Sequence, residues 1–155
     1  MQAVQDCFTE TIVNKLDAKG RVSIPAAYRQ VLARQETEGV YFLKAVSGEP
    51  ALTGFGNGVL SQMREQLKSF NPIFSKGYAL RAHAIFGQAR HLSFDDEGRI
   101  RLPDDLIGHV GIEERVAFVG LGDTFEVWNP DKLAAVERRR LAEARELFDA
   151  SGGQS

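Results

Sequence analysis

The chain contains the stretch Asp17-Ala18-Lys19-Gly20-Arg21-Val22-Ser23-Ile24-Pro25, and its pattern returns 78 positions later as Asp95-Asp96-Glu97-Gly98-Arg99-Ile100-Arg101-Leu102-Pro103. The aspartate, the glycine, the arginine, two aliphatic positions and the closing proline all fall in register. An internal repeat of this kind predicts that half of the fold is built twice, with two-fold pseudo-symmetry between the copies. Because the copies share one scaffold, the positions at which they differ indicate which copy meets a partner.

The hydrophobic pattern predicts the same order of elements in both halves: strand, turn, strand, short helix, two strands and a long helix. In the first copy, period-two alternation places Val22 and Ile24 inward and Arg21 and Ser23 outward. Pro25 suits the first turn of the short helix, where a missing N–H is no loss. The predicted bounds are strands 8–16 and 21–24, helix 26–33, strands 40–46 and 51–55, helix 59–70, a linking helix from Pro72, strands 89–94 and 99–102, helix 103–110, strands 116–121 and 124–128, and a last helix from 130.

Neither hairpin can bury a core in water by itself. The sequence therefore predicts an α+β protein whose two repeats interleave their strands into one barrel-like sheet, with the long helices packed outside. The first repeat is assigned to residues 1–72, the second repeat with the last helix to 73–149, and residues 150–155 to a disordered tail.

The composition is that of a globular chain, with 155 residues of which 43% are hydrophobic and 26% charged. Cys7 is the single cysteine, which excludes an intramolecular disulfide framework and fits a reducing compartment. The N-terminus shows no apolar segment typical of a secretory signal, and no stretch approaches the roughly 20 apolar residues that cross a bilayer. These observations predict a cytoplasmic protein with no membrane partner.

The net charge of −2 hides a polarity along the chain. Residues 1–34 carry five basic against three acidic side chains, and residues 62–90 carry five against one. Residues 91–129 carry three arginines against nine carboxylates. An anionic partner is therefore expected to meet the first repeat or the middle of the chain, not the second repeat.

The first turn is the strongest candidate for binding such a partner. Lys15, Lys19 and Arg21 cluster around it, and Arg29 lies on the helix that follows. A β-ribbon that carries arginine and lysine can enter the major groove of DNA, with arginine reading guanine and lysine holding phosphate. Asp17 can hold the Arg21 guanidinium by a charge-assisted hydrogen bond.

The aspartate–arginine pair also has a purely structural interpretation. The second copy keeps the pair as Asp95 and Arg99, which indicates a clip that closes the hairpin in both copies. The surrounding charges differ, since Lys19 corresponds to Glu97. A scaffold alone gives no reason to place a base and an acid at equivalent surface positions, so DNA binding is predicted for the first copy.

Other polar groups are interpreted as structural. Arg99 and Arg101 share an outward face, but Asp95, Asp96 and Glu97 crowd the same turn, so internal ion pairs are expected instead of phosphate contacts. The run Arg138–Arg140 is expected to pair with carboxylates of its own helix, namely Glu137, Glu143 and Glu146. The histidines lack cysteine partners at metal-binding spacing, and no nucleophile–histidine arrangement stands out. No metal, cofactor or catalytic residue is predicted, and the chain is not expected to be an enzyme.

The chain resembles the MraZ family of division-and-cell-wall-cluster transcriptional regulators. The resemblance rests on the doubled Asp-x-x-Gly-Arg-x₃-Pro motif and on the ending Gly120-Leu-Gly-Asp-Thr-Phe-Glu-Val-Trp-Asn129, and it covers about residues 8–140. The family is similar in fold to the swapped-hairpin superfamily of transition-state regulators and antitoxins. The resemblance thus implies two pseudo-symmetric swapped-hairpin repeats that form a small β-barrel with flanking helices.

The resemblance also implies a sequence-specific DNA-binding repressor that acts on the promoter of its own operon, associated with the nucleoid. It implies a ring-like homo-oligomer, an octamer or larger, whose basic hairpins engage direct promoter repeats. A second interpretation stays open. In it, the chain is a non-catalytic interaction module, such as an antitoxin-like scaffold, whose partner docks on the acidic second repeat or on the helix over 131–149.

Overall fold

The computed structural model describes residues 6–151, and their helices and strands follow the predicted order in both halves. The first half contains β1 (Thr11–Lys15), β2 (Arg21–Ser23), α1 (Ala26–Arg34), β3 (Val40–Lys44), β4 (Leu52–Phe55) and α2 (Asn57–Gln66), which continues into a 3₁₀ turn over Leu67–Ser69. A linking helix, α3 (Lys76–Ile85), comes next. The second half contains β5 (Arg90–Leu92), β6 (Arg99–Arg101), α4 (Asp104–Val110), β7 (Arg115–Gly120), β8 (Phe125–Trp128) and α5 (Pro130–Ala150).

The strands of the two halves pair with each other around a pseudo-two-fold axis. Six of them form an antiparallel sheet in the order β1-β7-β8-β4-β3-β5, and β2 pairs with β6 in a separate two-stranded ribbon. The strands β1 to β4 correspond to β5 to β8. If each strand is replaced by its counterpart, the same order is obtained in reverse. The axis passes between Thr53 and Glu126 in the sheet and between Val22 and Ile100 in the ribbon.

Different elements cover the two faces of the sheet. One face packs against the ribbon, α1 and α4, and at its centre Phe125 contacts four other aromatic rings. The opposite face packs against α5 through buried Trp128 and Leu133, and against α2 through buried Phe55 and Val59. The ribbon therefore lies on the side of the sheet away from the long helices.

The α+β class is confirmed, and the two repeats contribute strands to one sheet as predicted. Within residues 6–151, β1 and β5 are the edges of that sheet and no closed barrel is seen. The division into repeats at residues 72 and 73 stays a prediction. Of the predicted tail, Ala150 is the last residue of α5, and residues 152–155 lie outside the described residues.

Several boundaries in the first repeat differ from the prediction by a few residues; α2, for example, spans Asn57–Gln66 where the sequence predicts 59–70. Two of the differences have a local cause. The first strand is shorter than 8–16, because Glu10 has a positive φ of 69° that interrupts the extended backbone. Phe8, before this break, forms only an isolated bridge with Gly122. Pro25 has φ −50° and ψ 138°, so it caps α1 from outside and does not form the first helical turn.

The linking helix begins at Lys76 and not, as the sequence predicts, at Pro72. The Asn71 side-chain oxygen accepts hydrogen bonds from the backbone N–H groups two and three residues later, both at 2.9 Å, which fixes a turn after the proline. The Ser75 hydroxyl then accepts a hydrogen bond from the Tyr78 N–H (3.1 Å) and caps the helix. Two successive polar side chains thus delay the helix by four residues.

Ion pairs to other elements attach α5 to the body of the protein, and the predicted pairs within the helix are wrong for Arg139 and Arg140. Arg140 donates hydrogen bonds to Glu126 Oε1 (2.7 Å) and Glu49 Oε1 (3.0 Å), and Arg139 lies 3.5 Å from Glu49 Oε2. The buried Glu126 also accepts a hydrogen bond from Trp128 Nε1 (2.8 Å). These carboxylates come from β8 and from the loop between β3 and β4, so no spacing along the helix reveals them.

We expect Arg140→Ala to lower the free energy of unfolding by about 2–3 kcal/mol, because it leaves the Glu126 carboxylate buried without its cation. This loss is at or below the smallest destabilisation typical of removing one partner of a buried ion pair, because the Arg140 side chain is 34% exposed. Urea unfolding followed by Trp128 fluorescence measures the change. Arg139→Ala is the matched control and should cost no more than about 0.5 kcal/mol. Equal losses in the two variants would show that Arg140 has no special role.

Candidate nucleic-acid interface

One aspartate closes the first repeated turn. Asp17 Oδ1 accepts hydrogen bonds from the backbone N–H groups of Lys19 (2.9 Å) and Arg21 (2.8 Å), and Asp17 Oδ2 accepts one from Arg21 Nε (2.7 Å). The N–H of Gly20 donates to the Asp17 carbonyl (3.0 Å). A carboxylate that accepts three N–H groups at once holds both the turn and the arginine beside it.

The second turn has the same geometry around Asp95. Its Oδ1 accepts hydrogen bonds from the N–H groups of Glu97 (2.9 Å) and Arg99 (3.0 Å), and its Oδ2 accepts one from Arg99 Nε (2.8 Å). In both turns these bonds, chiefly the one from the arginine backbone N–H, hold the pKa of the aspartate below its usual value of 3.8. The charged form of each carboxylate is the one that fits the turn.

Each turn is completed by the other half of the chain. The Leu102 N–H donates to the Gly20 carbonyl (2.9 Å), and the Ile24 N–H donates to the Gly98 carbonyl (3.2 Å). Both glycines have a positive φ, 79° and 77°, a conformation that favours glycine over other residues. The two turns are therefore built as one interlocked unit.

Each short helix also packs against the turn of the other repeat, but the two helices do so through different side chains. A Cβ placed on Gly20 would lie 3.3 Å from Ile107 of α4, whereas a Cβ placed on Gly98 would collide with the guanidinium of Arg29 of α1. Arg29 and Ile107 occupy equivalent positions of the two repeats, 78 residues apart. Arg29 thus lies over the second turn, and its buried Nε has no hydrogen-bond partner within residues 6–151.

The outward side of the β2–β6 ribbon carries four polar residues, which we call the arginine face: Arg21, Ser23, Arg99 and Arg101. The register places Arg21 opposite Arg101 and Ser23 opposite Arg99, on either side of the buried pair at the pseudo-axis. Directly opposed side chains in an antiparallel pair have Cβ atoms about 5 Å apart on one surface. Guanidinium groups from both repeats therefore meet on this face.

The two clipped arginines differ in their remaining contacts. Arg99 Nη1 lies 3.6 Å from Glu97 Oε2. Arg21 has no ion pair except that with Asp17 in the described part of the chain. Lys19, the counterpart of Glu97, is exposed at the tip of the first turn. Beyond the contact of its Nε with Asp17, Arg21 forms no ion pair within residues 6–151, and Lys19 and Arg101 are neighbouring cations.

The structure brings only part of the predicted basic cluster together. Lys19 and Arg21 share the first turn. Lys15 is exposed at the end of β1, opposite Arg115 of β7, and so lies along the sheet edge instead of the ribbon. Arg29 lies against the second turn, at Gly98. The four residues are not one cluster.

Arg101 is the residue that the sequence analysis missed. The prediction of internal ion pairs is confirmed for Arg99 and wrong for Arg101, which is exposed and has no ion pair within residues 6–151. The sequence analysis did not consider that β2 and β6 pair with each other. If Val22 and Ile100 both point inward and pair across the pseudo-axis, residue 21 must lie opposite residue 101, however acidic the neighbouring turn is in sequence.

The surface offers outward hydrogen-bond donors and positive charge. Among residues 6–151, no group of three or more His, Cys, Asp or Glu side chains has the geometry to hold a metal ion. In the same range, no helix has an apolar stretch long enough to span a membrane. The arginine face is suited to binding anionic groups with hydrogen-bond acceptors.

Comparison with known proteins places the chain in a family. Residues 85–148 match a family model described as "MraZ protein, putative antitoxin-like". The chain is 39% identical over 150 residues to the Transcriptional regulator MraZ of Xanthobacter autotrophicus, which covers 97% of this chain and 94% of that relative. The chain belongs to the MraZ family. Identity is also 39% to the proteins of the same name from Azorhizobium caulinodans, over 91% of this chain and 86% of that relative, and from Gluconobacter oxydans, over 89% and 84%.

The similarity to the MraZ relatives extends over both repeats, whereas the family model covers the second repeat only. The alignment with the Xanthobacter protein spans nearly the whole chain, so both strands of the arginine face fall within it. The family resemblance that the doubled motif indicates is confirmed.

The two clips predict a pH dependence of stability in this MraZ-family protein. The folded-state pKa of Asp17 and Asp95 is lowered from the usual 3.8. Each carboxylate therefore stabilises the fold above that value and loses this effect as pH falls through the folded value. We expect the unfolding free energy to decrease below about pH 4, and to decrease less steeply in the Asp17→Asn/Asp95→Asn variant. Urea unfolding at several pH values measures both slopes.

Asp96→Asn is the control for this experiment. Asp96 is exposed and makes no hydrogen bond through its side chain within the described residues. The control should keep the wild-type pH slope. A double variant with that same slope would show that the two clips do not contribute to acid sensitivity.

Proposed function

We propose that this MraZ-family chain is a transcriptional regulator that binds double-stranded DNA sequence-specifically through Arg21 and Arg101 of the arginine face and through Lys19. One observation supports this above all. Asp17 holds Arg21 through Nε, while the Nη edge of Arg21, next to Arg101 and Lys19, has no protein partner within residues 6–151. The names of the relatives, each a transcriptional regulator, support the same class of function.

The chemistry of the arginine face suits base recognition. The major groove is about 12 Å wide and admits a two-stranded ribbon, and arginine reads guanine by donating two hydrogen bonds to O6 and N7. Because Asp17 already orients Arg21, the side chain loses less freedom on binding than an unrestrained arginine does. Lys19 at the turn tip contacts phosphate, which adds affinity and sets the orientation on the duplex. Lys15 and Arg29 remain predicted DNA contacts.

We further propose that the protein represses its own division and cell-wall operon, in the cytoplasm and at the nucleoid. Its swapped-hairpin repeats would be displayed on a ring-like homo-oligomer, an octamer or larger. One hairpin makes only about three to five contacts and binds weakly alone. Several hairpins on a ring engage direct promoter repeats about 10 bp apart, and the avidity gain is of order 10²–10⁴.

Arg21→Ala tests the base contact. Loss of one bidentate arginine–guanine pair costs about 1–3 kcal/mol, so affinity for the promoter fragment should fall about 5- to 150-fold for each hairpin engaged. Fluorescence anisotropy measures binding to DNA upstream of the protein's own operon and to a scrambled duplex of the same length. The preference for the promoter over the scrambled duplex should shrink as well.

Arg99→Ala is the matched control, because it removes the equivalent arginine from the equivalent clip. It should bind the promoter within about threefold of wild type, since Arg99 is partly held by Glu97. If both variants lose binding equally, the loss reports on the fold of the ribbon and not on base recognition by Arg21. If the wild type does not bind the promoter at all, the interaction-module interpretation is favoured instead.

Exchanging the turn charges tests the phosphate contact. Lys19→Glu gives the first turn the residue of the second, and should weaken binding to promoter and scrambled duplexes alike. The slope of log K against log salt should become shallower by about 0.9 for each phosphate that the variant no longer neutralises. Glu97→Lys, the reciprocal change, should not weaken binding. An unchanged salt slope in Lys19→Glu would remove Lys19 from the interface.

A further inference from the structure

The two halves of the sheet differ at the place where each edge strand begins. In the first half Phe8, which precedes β1, is buried, and its ring centroid lies 5.2 Å from that of Tyr28 and 4.9 Å from that of Phe125. The Phe8 N–H donates a hydrogen bond to the Gly122 carbonyl (2.7 Å), and the Gly122 N–H donates one to the Phe8 carbonyl (2.9 Å). An aromatic side chain therefore closes this end of the core.

The equivalent end of the second half is open. Phe86, which lies 78 positions after Phe8, is at the end of α3 and lines a different groove, together with Leu67 and Phe70. The end of the second half that Phe86 leaves uncovered contains a cavity of about 510 Å³, beside the start of β5.

The cavity corresponds to the site of Phe8. Leu106 of α4, in its lining, is the counterpart of Tyr28 of α1, 78 positions earlier. Phe42 of β3, also in the lining, is the counterpart of Phe118 of β7, because the two occupy the same place relative to their paired edge strands. Tyr28 and Phe118 belong to the buried cluster that contains Phe8. The second repeat therefore has an open space where the first has a buried aromatic ring.

One difference in sequence explains why only the first half is closed. A Cβ placed on Gly120 of β7 would collide with the backbone of Phe8 and Thr9, so their path across the strand requires a glycine there. The counterpart of Gly120 is Lys44 of β3, by the same strand pairing. A segment that followed the equivalent path in the second half would meet the Lys44 side chain. The lysine therefore keeps this space open to other occupants and adds a positive charge beside it.

The floor of the cavity is apolar. Phe42 and Leu106 are 0% and 2% exposed, and Val46 and Ala84 contribute further apolar surface to the lining. A volume of about 510 Å³ is within the range of sites that bind small molecules. The floor is thus suited to a compact apolar group, such as the phenyl ring that fills the equivalent site of the first repeat.

The rim of the cavity is positively charged. It carries Lys44 and Arg90 against the single carboxylate of Asp105. Arg90 Nη1 donates a hydrogen bond to Asp105 Oδ2 (2.9 Å), whereas Lys44 forms no ion pair within residues 6–151. The hydrogen bond from Arg90 holds the pKa of Asp105 below its usual value of 3.8, and the nearby charge of Lys44 lowers it further. One negative charge on a ligand would balance this rim.

The net charge of the rim distinguishes between classes of anion. A carboxylate brings one negative charge and accepts charge-assisted hydrogen bonds from lysine and arginine. A phosphate monoester brings a charge of about −1.5 to −2 at neutral pH, more than the rim balances next to Asp105. The rim therefore favours a monocarboxylate.

We propose that this cavity binds a small aromatic monocarboxylate. The ring packs on Phe42 and Leu106, in the space equivalent to that of Phe8. The carboxylate accepts hydrogen bonds from Lys44 and Arg90. No residue in the lining of the cavity belongs to the arginine face. The site is thus separate from the proposed DNA contacts and goes beyond the proposed function.

Hydrocinnamate is the probe for this site. It consists of the side chain, the Cα and the carboxyl carbon of a phenylalanine residue, and it carries a single negative charge. Saturation-transfer difference NMR measures its binding to the protein. We expect saturable binding with a Kd of about 1 mM or tighter, which is typical of a ligand of this size.

Two analogues separate the contributions of the ring and the charge. Hydrocinnamide keeps the ring and lacks the charge, whereas hexanoate keeps the charge and lacks the ring. Each should bind about three- to tenfold more weakly than hydrocinnamate, because one set of contacts is lost.

Lys44→Met tests the contact with the carboxylate, because methionine keeps an unbranched side chain and removes the charge. The variant should bind hydrocinnamate about three- to tenfold more weakly than the wild type and hydrocinnamide equally well. Lys76→Met is the matched control, since Lys76 is exposed and does not line the cavity. Its affinities for both ligands should stay those of the wild type.

Ala84→Trp tests the position of the ring. Ala84 is exposed on α3 and lines the cavity, so a tryptophan there fills the space without disturbing the core. Hydrocinnamate and hydrocinnamide should both lose saturable binding. Circular dichroism checks that each variant is folded. If Ala84→Trp does not fold, the comparison of the two ligands in Lys44→Met still decides.

The proposal is wrong if the wild type shows no saturable binding at about ten times the expected Kd. It is also wrong if folded Ala84→Trp binds hydrocinnamate as the wild type does, because the ligand then lies elsewhere. Equal affinities for hydrocinnamate and hydrocinnamide, or an unchanged hydrocinnamate affinity in Lys44→Met, show that the carboxylate is not recognised.

The choice of ligand class has its own tests. Hexanoate that binds as tightly as hydrocinnamate shows that the ring is not recognised, and phenyl phosphate that binds more tightly shows a phosphate site instead. Either result overturns the proposal. None of the three substitutions lies on the arginine face, so a failure here is distinguishable from a failure of the DNA proposal.

Discussion

The fold depends on the antiparallel contact of β2 with β6 around the buried pair of Val22 and Ile100. Each strand has three residues, and neither could persist alone. Because each strand follows a clipped turn and precedes a short helix, this one contact sets the positions of both turns and of α1 and α4. The hydrogen bonds to the Gly20 and Gly98 carbonyls, donated by the opposite repeat, lock the arrangement. A single repeat would leave its turn carbonyl without that partner.

The same contact creates the arginine face. In an antiparallel pair centred on a pseudo-axis, a residue just before the centre of one strand faces the residue just after the centre of the other. Arg21 therefore meets Arg101, and Ser23 meets Arg99. Identical copies would place the same pair of residues at both ends of the ribbon. Divergence at one position, serine in the first copy and arginine in the second, makes the two ends chemically different.

Local features of this fold were predictable from sequence, and features set by distant contacts were not. The order of elements, the two glycine turns and the inward positions of Val22 and Ile24 follow from patterns that span a few residues. The partner of Arg140 was not predictable, since Glu126 and Glu49 are 14 and 91 positions away. The sequence analysis places the start of α3 at Pro72, four residues too early, because the helix begins only after the cap formed by the Ser75 side chain. The position of Arg101 required knowledge of strand register.

The placement of Arg29 shows how two copies of one scaffold divide their roles. Its counterpart, Ile107, packs against Gly20 of the first turn and brings no charge there. Arg29 instead covers Gly98 of the second turn, next to Asp95 and the acidic residues that follow it. Arg29 brings positive charge to the acidic second turn, and Ile107 brings none to the basic first turn. With the two side chains exchanged, an arginine would lie beside the cations of the first turn and be repelled by them. Ile107 itself adds no carboxylate to the basic turn, and Lys19 stays exposed to an anion from outside.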